Sequence, residues 1–335
     1  MDPARLDEMA RKVMSYSKHM DLKSYTGIAT FLRANLCDDW RQVDIALVGL
    51  PTDAGVLQRP GTRHGPREIR NQSCQIPYYN PLTRVIPFEL ARIADIGDVP
   101  LPSPLDLPSV TAAIHDFYGK LRQAGVVPIT AGGDHSISYP ILKALGASRP
   151  LGLVHIDAHL DTADRLAESN LHHSAPFTNA ARDGAFDPKR SVHIAIRDPL
   201  SEFQQFAYET GMTVIDIDQF YDLGVKGVIA ETRRIIGDAP TYISFDVDSL
   251  DPAFAPGTGI PVVGGITSYE AKRLLHGLRG LDIIGGDVVE VSPPLDVAGI
   301  TALAGAQMMF EILCLAAEAF AKRRQGIQAR SASEG

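Results

Sequence analysis

The chain has 335 residues, 45% of them hydrophobic, and a formal charge of −8 from 32 Lys/Arg and 40 Asp/Glu. That length allows one large domain or two small ones with a substantial core, and the acidic balance argues against nucleic acid or a membrane surface as the main partner. No uninterrupted apolar run reaches the roughly 18 residues of a spanning helix, "MDPARLDEMARKVMSYSK" lacks the apolar core of a secretory signal, and Cys37, Cys74 and Cys314 form no zinc-type pair, so a cytoplasmic setting is expected.

In chain order, residues 1–40 read as an N-terminal extension. Leu6, Met9, Val13 and Met14 form an apolar helical stripe there, suited to packing on the body or on a neighbouring subunit. Strand-like runs follow at 43–50, 91–99, 126–133, 151–159, 191–196, 212–217, 241–248 and 281–291. Helix-like stretches lie between or after them at 105–124, 136–146, 201–210, 218–236, 268–279 and 302–323, and 324–335 reads as a flexible tail. The strand runs are rich in Val and Ile rather than alternating, as in strands buried on both faces. Strand–helix alternation predicts an α/β fold with a mostly parallel sheet flanked by helices. No linker divides the chain, so a single domain spanning 1–335 is expected.

The chemistry collects where strands end, the usual place for a site in an open α/β sheet. The run 126–133 leads into "GGDHS", with Asp134 and His135. The run 151–159 gives Asp157 and His159, with Asp161 in the turn that follows. The run 241–248 gives Asp246 and Asp248, and 281–291 carries Glu290. Residues i and i+2 of a strand share a side, so Asp157 pairs with His159 and Asp246 with Asp248. A lone Asp at a strand end is usually a cap or turn residue, and a lone His such as His115 or His276 reads as structural or solvated. Six ligand-type residues at three strand ends are another matter. His135, Asp157, His159, Asp161, Asp246 and Asp248 bring four carboxylates together, which repel unless cations sit among them. Two divalent ions about 3.5–4 Å apart satisfy such a set. Oxygen and nitrogen donors without sulfur point to Mn²⁺, and Ni²⁺, Co²⁺ or Fe²⁺ fit the same donors. Asp134 is expected behind the ligands, orienting His135.

"GGDHS", "DAHLD" and "SFDVDSLDPAFAPGTG" resemble the three signature motifs of the arginase/agmatinase (ureohydrolase) family, and "GTRHGPREIR" and "GGDVVEVSPP" resemble its agmatinase-type branch. The resemblance runs from Val43 to Ala317. It implies a three-layer α/β/α fold, a homo-oligomer (trimer or hexamer, or a mixed oligomer with a paralogue), and hydrolysis of a guanidino group to urea and an amine by a hydroxide bridging two Mn²⁺ ions. It also implies that His135, Asp157, Asp161 and Asp248 are metal ligands, with His159 and Asp246 completing the set. Glu290 matches the glutamate that holds the guanidinium.

In "NLHHSAPFTNA" (170–180), counting back from Phe177 and Ala180 places His173 at the position of a proton-shuttling histidine, with Ser174 where relatives carry glycine. An alternative alignment selects His172 instead, and Asp161 is the other candidate proton carrier. Leu160, inside "DAHLD", replaces a small or polar residue and narrows the pocket. The expected substrate is therefore a guanidino acid such as guanidinobutyrate or guanidinopropionate, agmatine, or a small or alkylated guanidine. Arg165 and Arg182 are expected at the surface. The competing readings are a single-zinc, deacetylase-like amide hydrolase and a non-catalytic subunit supporting an active paralogue.

Overall fold

The computed structural model describes residues 24–104, 106–164, 166, 169–198 and 205–333, with side chains as far as residue 328. Its framework is one eight-stranded sheet. In chain order the strands are β1 (Ile45–Gly49), β2 (Ile93–Asp98), β3 (Val127–Ala131), β4 (Leu151–Ile156), β5 (Phe186–Ile196), β6 (Thr213–Asp216), β7 (Pro240–Asp246) and β8 (Asp282–Val289). They lie in the order β2-β1-β3-β8-β7-β4-β5-β6, and each neighbouring pair is parallel.

The Val/Ile-rich runs are explained by cover on both faces. In β1, Ile45 and Leu47 pack on one side and Ala46 and Val48 on the other. The first side is closed by helices Gly65–Ser73, Ile217–Ile236, Ser268–Gly277 and Ile300–Ser333, through residues such as Ile69, Val228, Leu274 and Phe310. The second is closed by Leu107–Gln123, Ser138–Leu145 and Pro176–Arg182, through Ile114, Tyr118, Ile141 and Phe177. The result is the three-layer α/β/α arrangement that the resemblance implies.

Several elements differ from the sequence reading. The helices Gly65–Ser73, Pro87–Leu90 and Pro176–Arg182 were not expected. Each is short and starts with proline at its first or second position, so no long apolar period announces it. The long helix runs from Ile300 to Ser333, past the expected helical stretch 302–323, and Arg, Gln and Ala in its last turns are good helix formers. Within the N-terminal extension, Phe31 and Leu32 are buried in the core, and the Phe31 N–H donates to Asp95 at 2.9 Å. The stripe from Leu6 to Met14 lies outside the described residues, as does Arg165. The stretch Ile300–Gln328 is long and apolar enough to cross a membrane, with a hydropathy of 1.7, although its mix of residues concealed this. Within the protein 78% of that apolar window is buried, so packing against the sheet accounts for it.

This topology positions the site. The chain leaves β3 for β4 and later returns to fill the gap with β7 and β8. The carboxyl ends of β3, β8, β7 and β4 therefore stand side by side; β3, β7 and β4 carry the ligand-bearing phrases and β8 carries Glu290.

Candidate metal centre

His135 follows β3 in a short turn, and Asp134 caps that turn by accepting the Ser136 N–H at 2.9 Å. The His135 ring is fully buried. Its Nδ1 lies 3.1 Å from Asp157 Oδ2, 2.9 Å from Asp161 Oδ2 and 3.3 Å from Asp246 Oδ2, yet it makes no hydrogen bond of proper geometry with any of them. An imidazole nitrogen facing three carboxylate oxygens, buried and unpaired, is the donor set of a divalent cation. A second group lies beside it: His159 Nδ1 is 3.0 Å from Asp248 Oδ2 and 3.5 Å from Asp157 Oδ1. Asp157, His159 and Asp248 together can hold an ion, and Asp157 touches both groups, one oxygen toward each. The six sequence-selected residues thus converge.

The electrostatics reflect four carboxylates crowded into a buried site. Burial and the neighbouring Asp248 and Asp157 push Asp246 well above the usual carboxylate range. Burial, then Asp157, pushes Asp248 up to about 6. Burial disfavours the charged form of His135, but the surrounding Asp157, Asp161 and Asp246 carboxylates win and raise it well above its ordinary value. His159 is raised in the same way, chiefly by Asp248 against its burial. Cations at the two groups relieve the same repulsion without protonating the ligands.

Glu290 follows β8. Its Oε1 accepts the His135 N–H at 2.9 Å and lies 3.0 Å from His173 Nδ1. The Leu57 backbone nitrogen lies 3.3 Å from His173 Nε2, and Nδ1 donates to Glu290. Burial disfavours the protonated form of His173, and the Glu290 charge overrides it, raising His173 to about 9. His172 turns away: its Nε2 meets the Asp164 carbonyl at 3.0 Å, and burial lowers its pKa. Asp161 and Glu290 both have left-handed backbone, φ 51° and 63°. For non-glycine residues that conformation costs about 1–3 kcal/mol, and it is found where surrounding structure imposes a functional geometry.

Asp134 does not orient the His135 ring. Its Oδ2 accepts the Gly55 N–H at 2.9 Å, and the Gly55 carbonyl in turn accepts the His173 N–H at 2.9 Å. Asp134 thus ties down the loop that carries His173's partners. Gly133 lets that loop pass, since a β-carbon there would stand 1.7 Å from the Thr52 carbonyl oxygen. The His135 ring is oriented instead by Ser244, whose hydroxyl lies 2.8 Å from Nε2 and donates to Asp287 at 2.7 Å. Asp287 also accepts the hydroxyls of Ser138 at 2.6 Å and Tyr242 at 2.8 Å.

His159, Asp161, His173, Ser174, Asp246, Asp248, Ile260 and Glu290 line the inner cleft. Adjoining it is a cavity of about 180 Å³ walled by Leu57, Leu160, Ala163, Leu166 and Ile260, with Gln58, Ser174 and Asp198 as polar groups and His159 and Asp161 shared with the inner cleft. Leu160 forms part of the wall, beside the metal ligands. Arg182 is bound to Asp164 at the surface.

The model of the Arginase family matches residues 43–315. The chain is similar to a guanidinopropionase of Pseudomonas aeruginosa, at 48% identity over 90% of this chain and 96% of the relative. A guanidinobutyrase of the same organism is 38% identical over 88% and 94%. Among solved structures, a proclavaminate amidino hydrolase from Streptomyces clavuligerus superposes with a TM-score of 0.86 at 35% identity, covering 89% of this chain and 99% of that one. A hypothetical agmatinase from Burkholderia thailandensis does so with 0.82 at 37%, covering 90% and 94%. The chain belongs to the arginase family and is an enzyme acting on guanidino C–N bonds.

Proposed function

We propose that the chain hydrolyses a guanidino compound to urea and an amine at a centre of two divalent cations. The observation that carries this is the buried, unpaired Nδ1 of His135 among three carboxylate oxygens, with the Asp157–His159–Asp248 group beside it. His135, Asp157, Asp161 and Asp246 would hold one ion, and Asp157, His159 and Asp248 the other. When bound, the two cations lower the pKa of water and so supply a nucleophile at neutral pH. The oxygen-rich donors favour Mn²⁺, with Ni²⁺ and Co²⁺ as alternatives.

The chain's own residues do the rest. Glu290, held through Oε1 by His135 and His173, presents a buried charge to a guanidinium in the cleft and fixes its plane. His173 sits against Glu290 and keeps a proton that the departing amine needs. Asp161, on the same wall, is the alternative carrier. The largely apolar outer cavity suits the methylenes of a short guanidino substrate. The guanidinopropionase and guanidinobutyrase similarities support a guanidino acid first, ahead of agmatine or an alkylguanidine. A homo-oligomer in the cytoplasm completes the proposal.

The test is urea release from guanidinopropionate, guanidinobutyrate, agmatine and methylguanidine, with Mn²⁺, Ni²⁺ and Co²⁺ each supplied. Urea from one or more of these with two metals per chain supports the reading. No urea from any, or one metal per chain with deacetylation of an acetylated amine, overturns it.

A further inference from the structure

Below the metal-bearing rim, the sheet carries a row of buried polar residues. His193 of β5 is the register partner of His155 in β4, His155 of Ser244 in β7, and Ser244 of Asp287 in β8. All four are fully buried. Ser244 and Asp287 serve His135, as described above. The other half of the row serves Asp157. His155 Nε2 lies 2.7 Å from Asp157 Oδ2, and His155 Nδ1 lies 2.8 Å from His193 Nδ1. His193 Nε2 is buried with no partner.

These contacts set the direction of the hydrogen bonds. Asp157 Oδ2 is an acceptor, so His155 Nε2 carries a hydrogen and, in the neutral ring, its Nδ1 is a bare acceptor. His193 Nδ1 must then be the donor. That leaves a lone pair rather than an unmet N–H at the partnerless His193 Nε2. His155 therefore depends on His193 for its tautomer. Asp157 is held at both oxygens, since Oδ1 accepts the His159 N–H at 2.6 Å. The two bonds clamp the carboxylate plane. His155 Nε2 is committed to Oδ2, which marks His155 as a support for the ligand, although its distance from His135 and Asp157 would also suit a metal ligand.

We propose that His155 and His193 are a positioning pair: His193 sets the tautomer of His155, and His155 aims the Oδ2 of Asp157 at the metal group of His135, Asp161 and Asp246. This rests on the two-cation reading above. Because the pair acts on Oδ2, it governs one metal position more than the other. Outer hydrogen bonds of this kind typically change metal affinity about 10–100-fold.

The experiment is stepwise Mn²⁺ titration by calorimetry on the full chain, with chelator competition for the tighter site. Wild type is compared with His193→Phe and His193→Gln. Phe keeps an aromatic ring but no donor; the Gln amide retains a donor toward His155. The expected result is two Mn²⁺ per chain in wild type, and in His193→Phe one site weakened about 10–100-fold with the other nearly unchanged. His193→Gln should recover most of the loss. Equal weakening of both sites, in step with a lower Tm and without rescue by Gln, would mean that the ring only packs, and overturns the proposal. So does unchanged Mn²⁺ binding in His193→Phe. Wild type that takes up fewer than two Mn²⁺ overturns the two-cation reading itself and this pair's role with it. Should His193→Phe fail to fold, the same titration on His155→Gln decides, since loss confined to one site is expected there too and an unchanged isotherm refutes the pair.

Discussion

The Nε2 of His135 lies 2.8 Å from the hydroxyl of Ser244, and that hydroxyl donates to Asp287. The relay leaves only Nδ1 of the ring to face the three carboxylates, so a residue in the middle of β7 sets the coordinating face of a histidine beyond β3. Ser244→Ala removes the bond while changing little volume. Mn²⁺ affinity is expected to fall about 10–100-fold, with far-ultraviolet circular dichroism unchanged. Affinity equal to wild type would show that packing alone, for instance the edge-on contact of Phe177 with His135 at 5.3 Å, holds the ring.

Asp246→Asn tests the cluster itself. Asp246 is raised by burial and by its two acidic neighbours, so the metal-free protein carries it at a cost that a cation removes. The amide cannot supply the charge. Metal content by elemental analysis and turnover are expected to fall together, and the metal-free variant is expected to be at least as stable as metal-free wild type. A variant that retains two metals per chain would exclude Asp246 from the ligand set.

Glu290→Gln separates binding of the guanidinium from binding of metal. Glu290 contacts the His135 backbone and His173 and none of the six ligand side chains through a hydrogen bond. Metal content should stay at two per chain, while kcat/KM falls by about 10–10²-fold through loss of a charge-assisted contact of about 1.5–3 kcal/mol. Loss of metal in this variant would place Glu290 among the metal-binding groups.

The rim was legible in the sequence because a strand buried on both faces has no reason to end in Asp-x-His-x-Asp. The row beneath was not read, although the same alternation points to it. His155 is two residues before Asp157, and Ser244 two before Asp246, so each shares a side with its ligand. What single-strand periodicity does not contain is register. Only the pairing of β4 with β5 and of β7 with β8 brings His193 to His155 and Asp287 to Ser244. Asp134 was misread for a related reason. Its position beside His135 suggested that it serves the ring, but its carboxylate turns back to Gly55 across 79 residues of chain. The short helices escaped because their apolar faces are a few residues long, and Phe31 and Leu32 because their burial depends on distant partners, Asp95 for Phe31 and Ser73 for Leu32.

The histidine pair gives the last prediction. His173 is raised to about 9 by Glu290 against its burial, while His172 is lowered and faces a carbonyl outside the cleft. A group whose folded-state pKa lies above its unfolded value, near 6.5 for histidine, stabilises the fold fully below the unfolded value and loses that contribution as pH rises through the folded one. The window is therefore about pH 6.5 to 9. In metal-free protein, wild type is expected to be more stable than His173→Asn by up to about 3 kcal/mol at pH 6, and the difference should shrink as pH approaches 9 and vanish above it. Urea denaturation at several pH values measures this. In the metal-loaded enzyme, His173→Asn should lower kcat about 10²–10⁴-fold with both metals retained, as loss of a proton donor does. His172→Asn should leave kcat within a few-fold. A crippling His172→Asn with a mild His173→Asn would reverse the assignment. If both variants are mild, the proton for the departing amine comes from elsewhere, with Asp161 the carboxylate to examine.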